Sequence, residues 1–135
     1  MFTCQARSPA PAPCAWELLA RPGLWHEWAP HVRGAWGLGD PEVEAGRRGF
    51  VRLFGLVPVP ARITEVKDGR SWTWRVGPAV MAHRVEEAPG GCLVAVDIEA
   101  PAPLEAPLRA FYAPLVERLL ARLAGKAASR DQADS

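Results

Sequence analysis

The chain has 135 residues, which is enough for one domain with a real hydrophobic core and too short for two. Hydrophobic residues make up 49% of it and charged residues 23%, a composition typical of globular proteins and not of disordered ones. The formal net charge is only +1, from 16 basic and 15 acidic residues, so the charge predicts neither a nucleic-acid partner nor a polybasic membrane patch.

The cysteines and the N-terminal residues bear on the compartment. Three cysteines without a CxxC pair favour buried free thiols in a reducing environment over disulfides or a zinc site. Residues 1–7 lack the pattern of a signal peptide, and no apolar run is long enough to span a membrane. We therefore expect a cytoplasmic protein without a membrane span. The bias toward Arg, Ala, Gly and Pro suggests a bacterial source.

The first third of the chain predicts one strand and two short helices. Residues 2–7 alternate apolar and polar side chains, as a half-buried strand does. A proline-rich stretch then leads into a helix over Cys14–Ala20, and a second short helix should cover Leu24–Ala29 before Pro30. Helices this short need a larger element to pack against.

The middle of the chain predicts an antiparallel meander, because apolar alternation recurs about every ten residues between turn sequences. Trp72 and Trp74 should face inward on one strand, as should Val94 and Val96 on another. The predicted strands are Val32–Leu38, Arg48–Phe54, Arg62–Val66, Ser71–Val76, Met81–Glu86 and Leu93–Glu99.

The last element is a long amphipathic helix over Pro103–Lys126, with apolar residues recurring three and four apart. Pro114 should kink this helix, because it removes a backbone hydrogen bond. Residues 128–135 are polar and predict a flexible, solvated tail. We therefore expect one α+β domain over residues 1–127, with a curved antiparallel sheet of about six or seven strands around the long helix.

The order of elements resembles the SRPBCC superfamily of helix-grip domains, which includes START-like lipid-transfer proteins and polyketide cyclase/dehydratases. The likeness covers about residues 2–125. The segments that carry it are Ser8–Pro11, Ala15–Leu19, Pro22–Trp25, Trp28, Pro30–Val32, Arg62–Val66, Trp72–Gly77 and Gly90–Val94. The resemblance implies a cavity between the sheet and the long helix, capped by the short helices. It does not choose between carrier and enzyme.

Two groups of residues in the sequence suggest a metal site and a catalytic nucleophile, but their spacing favours ordinary structural roles. His26 and His31 are five apart, with Pro30 between them, so they do not share a helix face as metal ligands would. Cys92, His83 and Asp97 show no spacing that would activate a nucleophile. We expect no metal and no cofactor.

The candidate site is the inward face of the sheet with the apolar stripe of the long helix. The residues expected to line it are Trp25, Trp28, Trp36, Trp72, Trp74, Val76, Met81, His83, Val85, Leu108, Phe111, Tyr112 and Leu115. His83 and Tyr112 are the only inward pair we can nominate as catalytic acid and base, and ordinary core roles are an alternative for both.

Three function classes remain open. The first is a carrier or binder of a small hydrophobic, aromatic or lipid-like ligand, favoured because the inward face is poor in acid–base groups. The second is a polyketide cyclase/dehydratase-type enzyme acting in the same cavity. The third is a regulatory or toxin–antitoxin-like interaction module. We expect no nucleic-acid partner, and a monomer or a homodimer.

Overall fold

The structure is a computed structural model that describes residues 1–29, 32–53 and 58–134. Its centre is a seven-stranded antiparallel sheet in the order β1-β7-β6-β5-β4-β3-β2. The strands are β1 Phe2–Ser8, β2 Val32–Trp36, β3 Arg48–Leu53, β4 Pro58–Lys67, β5 Ser71–Val76, β6 Ala79–Ala88 and β7 Gly91–Glu99. The curved sheet and its meander from β2 to β7 confirm the expected fold class.

The strand bounds differ from expectation mainly at β4, which begins at Pro58 and not at Arg62. Pro58 and Pro60 pair with β3, whereas the pairing of β4 with β5 starts only at Ala61. Along the two prolines β4 therefore has a neighbour on one side only, and proline is tolerated there because no second ladder needs its missing N–H group. Phe54, expected to end β3, and Pro30, His31 and residues 55–57 lie outside the described residues.

Two short helical segments follow β1. Helix α1 spans Ala12–Ala20, and its prolines lie at the N-terminal end, where no backbone hydrogen bond is lost. The second segment is a 3₁₀ helix over Pro22–Glu27, where we expected a short helix over Leu24–Ala29. Pro22 starts the 3₁₀ helix directly after Arg21, the C-cap of α1. Six residues are too few to favour an α-helix.

The C-terminal helix consists of α2 (Ala102–Pro107), a π-helical turn (Leu108–Tyr112) and α3 (Ala113–Asp134). Pro114 was expected to kink the helix. The distortion lies in the turn before it, where the Ala113 N–H donates to the Leu108 carbonyl, five residues back. A widened turn of this kind makes room for a proline, which clashes with the carbonyl four residues before it.

Residues 128–134, where we expected a flexible tail, continue α3 to Asp134. Ala127 is fully buried, and Arg130 forms ion pairs with Glu17 and Glu27. These contacts fix the last turns against α1 and the 3₁₀ helix.

The core lies between the inner face of the sheet and α3. Most of its fully buried large side chains come from α1, the sheet and α3, and include Leu18, Leu19, Ile63, Trp72, Ile98, Leu120 and Leu123. Cys4 and Cys92 are buried free thiols, and burial raises the pKa of each. No helix among the described residues is long and apolar enough to cross a membrane.

Candidate ligand-binding site

A cavity of about 80 Å³ lies between the inner face of the sheet and α3, below the 3₁₀ helix. Its walls are apolar except for a histidine and a tyrosine. The lining residues are Trp25, Trp28, Ala29, Val51, Trp72, Trp74, Val76, Met81, His83, Val96, Tyr112, Val116, Leu119 and Leu120.

The structure brings eight of the expected lining residues together at this cavity. They are Trp25, Trp28, Trp72, Trp74, Val76, Met81, His83 and Tyr112. The two residues nominated for acid–base chemistry, His83 and Tyr112, are both among them.

Five expected residues do not line it. Trp36 lies on the outer face of the sheet beside Phe50, with 46% of its surface exposed. Val85 is buried in the core instead. Leu108, Phe111 and Leu115 are not among the lining residues; Phe111 is 82% exposed, and Leu115 packs against the core. The π-helical turn explains the positions of Leu108 and Phe111, because one extra residue in a turn rotates the preceding residues by about 100° relative to a regular α-helix.

The residues that the sequence reasoning left out were Ala29, Val51, Val96, Val116, Leu119 and Leu120. Val96, Val116 and Leu119 carried a signal, because Val96 lies on the predicted inward face of its strand and Val116 and Leu119 belong to the apolar stripe of the long helix. Ala29, a small residue next to the cap, carried none.

An aromatic cluster forms the floor and one wall of the cavity. Trp72 stacks on His83, its cross-strand neighbour, with ring centroids 3.8 Å apart and planes 10° from parallel. Trp72 is also stacked with Trp25 at 5.5 Å. Trp74 meets Trp25, Trp72 and His83 edge to face, at 5.3–5.7 Å. Such pairs are favourable geometries for aromatic rings, so this wall is preorganised.

Three of the four tryptophans that line the cavity donate their N–H groups to carbonyls of α1. Trp25 and Trp72 both donate to the Leu19 carbonyl, at 2.9 and 3.1 Å, and Trp28 donates to the Leu18 carbonyl at 2.9 Å. The last carbonyls of a helix lack partners within it, so these indoles cap α1, and Trp72, which lies on β5, attaches it to the sheet. Their N–H groups are therefore not available to a ligand.

His83 is buried and held in one tautomer. Its Nδ1 lies 3.3 Å from the Trp72 carbonyl, which can only accept, so Nδ1 carries the proton and Nε2 is an acceptor. Burial lowers the pKa of His83 to about 4, and hydrogen bonding to the Trp72 backbone, the charge of Asp97 and hydrogen bonding to the Met81 backbone offset this only in part. The imidazole is therefore neutral at physiological pH.

Two further polar groups of the lining have no hydrogen-bond partner in the part of the chain that the structure describes. One is Trp74 Nε1, which is buried. Among the described residues the Tyr112 hydroxyl also has none, and burial raises its pKa. Buried polar groups are nearly always paired in native proteins, so an unpaired indole N–H beside a cavity marks a place for an acceptor.

Of the other constellations noted in the sequence, Cys92, His83 and Asp97 do not assemble. His26 is exposed on the 3₁₀ helix, and His31 lies outside the described residues. Asp97 projects to the opposite face of the sheet, where it accepts from Arg84 and Thr3. Cys92 lies four residues along β7 from the neighbour of His83, about 13 Å away along the strand. Within the described ranges no three His, Cys, Asp or Glu side chains are grouped as metal ligands.

Solved structures with the same architecture are numerous, although their sequences are distant. Protein MLL2253 from Mesorhizobium loti superposes with a TM-score of 0.77 at 13% identity, over 96% of each chain. The protein Ara h 8.0201 superposes with a TM-score of 0.70 at 14% identity, over 95% of this chain and 97% of its own.

DynU16, described as a putative protein in the dynemicin biosynthetic locus, matches at 18% identity with a TM-score of 0.70. The match covers 90% of this chain and 46% of that one. No curated protein sequence matches the chain.

A family profile covers nearly the whole sequence. The profile described as "Polyketide cyclase / dehydrase and lipid transport" matches residues 2–130, which include every element from β1 to most of α3. The chain therefore belongs to the polyketide cyclase/dehydrase and lipid transport family.

Proposed function

We propose that the chain binds and carries a small, mainly apolar molecule in the cavity between the sheet and α3. The observation that carries this proposal is the cavity itself, with apolar walls and a preorganised tryptophan cluster. Pockets of this composition bind ligands by burying apolar surface, and a few polar groups fix the orientation.

The size of the cavity narrows the class of ligand. At about 80 Å³ it is smaller than a cavity of roughly 150 Å³ that accepts benzene. A single aromatic ring therefore requires a small outward shift of the cap or of α3. A long acyl chain requires a much larger one. We accordingly favour a one-ring compound over a lipid.

The orienting group in this proposal is Trp74. Its unpaired Nε1–H donates to an oxygen acceptor on the ligand, a hydroxyl or a carbonyl. An unmade hydrogen bond of a buried donor costs about 1–3 kcal/mol, which the ligand would recover.

Catalysis of the cyclase or dehydratase type is the less favoured reading of the same cavity. His83 would have to serve as acid or base, but its Nδ1 is committed to a carbonyl and its pKa of about 4 makes Nε2 a weak base. Asp97, the carboxylate that interacts with it electrostatically, lies on the other face and is bonded to Arg84.

A pair of nearly isosteric ligands, phenol and toluene, tests the proposal by calorimetry. Both should bind the native chain. In Trp74→Phe the ratio of phenol affinity to toluene affinity should fall about tenfold, the effect of losing one hydrogen bond. The ratio cancels the effect of the altered cavity shape on affinity, because that effect is shared by both compounds.

Trp28→Phe is the matched control. It also replaces a lining indole, but one whose N–H is committed to the Leu18 carbonyl, so the ratio should stay unchanged. If neither compound binds, the proposed carrier function is wrong. If both compounds bind and Trp74→Phe leaves the ratio unchanged, the cavity is a binding site but the proposed role of Trp74 is wrong.

A further inference from the structure

The outer face of the sheet, opposite the cavity, carries a row of arginines that strand register brings together. Arg48 on β3 pairs with Arg62 on β4, which pairs with Arg75 on β5. Neighbouring strands lie roughly 4.8 Å apart, so three exposed guanidinium groups share a narrow band. Arg52, two residues along β3 from Phe50, projects from the same face and is exposed.

These four arginines have no acidic partner among the described residues. The ion pairs of the described residues involve other side chains, and Glu65, three residues after Arg62 on β4, is paired with Lys67 at 3.5 Å. Glu99 lies two strands from Arg75, beyond Val80. Like charges directly opposite on adjacent strands destabilise a sheet, so an uncompensated row of this kind suits an anionic partner.

An exposed aromatic pair adjoins the row. Trp36 on β2 faces Phe50 on β3, with ring centroids 5.9 Å apart and exposures of 46% and 44%. Gly49 allows the backbones of β2 and β3 to lie close together here, because a Cβ at this position would meet the Trp36 carbonyl oxygen at 1.9 Å. Phe50 also lines one shallow hollow with Arg48, Arg62 and Arg75. We call Trp36, Phe50 and the four arginines the outer patch.

We propose that the outer patch docks the protein on an anionic phospholipid bilayer. Arginines bind lipid phosphates, and tryptophan and phenylalanine rings enter the headgroup region, where an amphipathic indole is favoured. Single-stranded nucleic acid fits less well, because it needs separate rings for successive bases, whereas Trp36 and Phe50 pack on each other as one unit. The patch lies opposite the cavity and does not depend on the proposed ligand.

Co-sedimentation with vesicles tests this docking. The native chain should bind vesicles of equal phosphatidylglycerol and phosphatidylcholine, and not vesicles of phosphatidylcholine alone. Each basic residue near an anionic surface contributes roughly fivefold to partitioning, so Arg48→Gln/Arg62→Gln/Arg75→Gln should weaken binding roughly a hundredfold.

The control triple variant is Arg118→Gln/Arg122→Gln/Lys126→Gln, which removes three exposed cations of α3 and changes the net charge equally. It should retain most of the binding. If the two triple variants lose the same affinity, binding reflects net charge alone and the assignment of the patch is overturned. If the chain binds a single-stranded oligonucleotide but not anionic vesicles, the proposed bilayer docking is wrong and the partner of the patch is nucleic acid.

Trp36 supplies a local readout, because it is the exposed one of the six tryptophans. Vesicles with brominated acyl chains should quench part of the fluorescence. Trp36→Phe should still bind, since it keeps an aromatic ring, but should lose that quenched component. Equal quenching in both chains would show that another surface meets the lipid.

Discussion

His83 is the residue in which burial and hydrogen bonding act most clearly together. Its ring is stacked on Trp72 and bonded to the carbonyl of the same residue. The site therefore holds a neutral imidazole, because a cation there would lose its hydration without gaining a carboxylate partner. This is the chemistry of a satisfied core histidine that also forms part of a cavity wall.

The pH dependence of unfolding tests this view of His83. The unfolded chain takes up a proton near the ordinary pKa of 6.5 and the folded chain only near 4. Between those values the unfolded state binds more protons, so stability falls as pH falls from 6.5 to 4. The loss is on the order of 3 kcal/mol.

His83→Phe keeps a flat ring but cannot titrate, so denaturant unfolding of this variant should show a much shallower fall over the same pH window. Asp97 does not confuse the comparison, because Arg84 and Thr3 lower its pKa and its contribution is lost only at still lower pH. A native and a variant chain with parallel pH profiles would contradict a neutral buried His83.

Sequence periodicity could place His83 at the cavity but could not assign the roles of its neighbours. Alternation along β5 and β6 was sufficient to bring Trp72, Trp74 and His83 to one face. It could not tell that the Trp72 N–H caps α1 while the Trp74 N–H has no partner. That difference depends on where the Leu19 carbonyl lies, which no periodicity encodes.

Among the elements, the C-terminal helix departs most from its sequence pattern. The apolar stripe weakens after Leu123, so the last turns read as a solvated tail. Arg130 forms ion pairs there with Glu27 and Glu17, which lie more than 100 positions away in the chain. Long-range polar contacts of this kind leave no periodic signal.

Deleting residues 128–135 tests whether these turns contribute to the fold. The deletion removes both ion pairs of Arg130, which are partly exposed, so it should cost about 1 kcal/mol and lower Tm by a few degrees in thermal denaturation. Arg130→Ala should reproduce most of the loss. Arg122→Ala, a change at an exposed arginine of the same helix outside the ion pairs, should leave Tm unchanged. A truncated chain as stable as the full one would restore the tail interpretation.

At the scale of the whole molecule, the sheet separates two surfaces of different chemistry. The order of elements was enough to predict the curved sheet around a long helix, because each amphipathic element has only one partner that can cover it. The size of the cavity could not be predicted, because it is the gap left after large side chains interlock. The outer patch could not be predicted from the sequence for a different reason. Its residues Arg48, Arg62 and Arg75 are far apart in the chain, and only strand register brings them together.

The central claim is that the cavity between the sheet and α3 takes up a small apolar molecule. Nuclear Overhauser effects between bound toluene and the protein test it most directly. We predict contacts from toluene to the rings of Trp72 and Trp74 and to the side chains of Met81 and Leu119, which surround the cavity. Contacts confined to Trp36 and Phe50 on the outer face, or no contacts at saturating toluene, would contradict the claim.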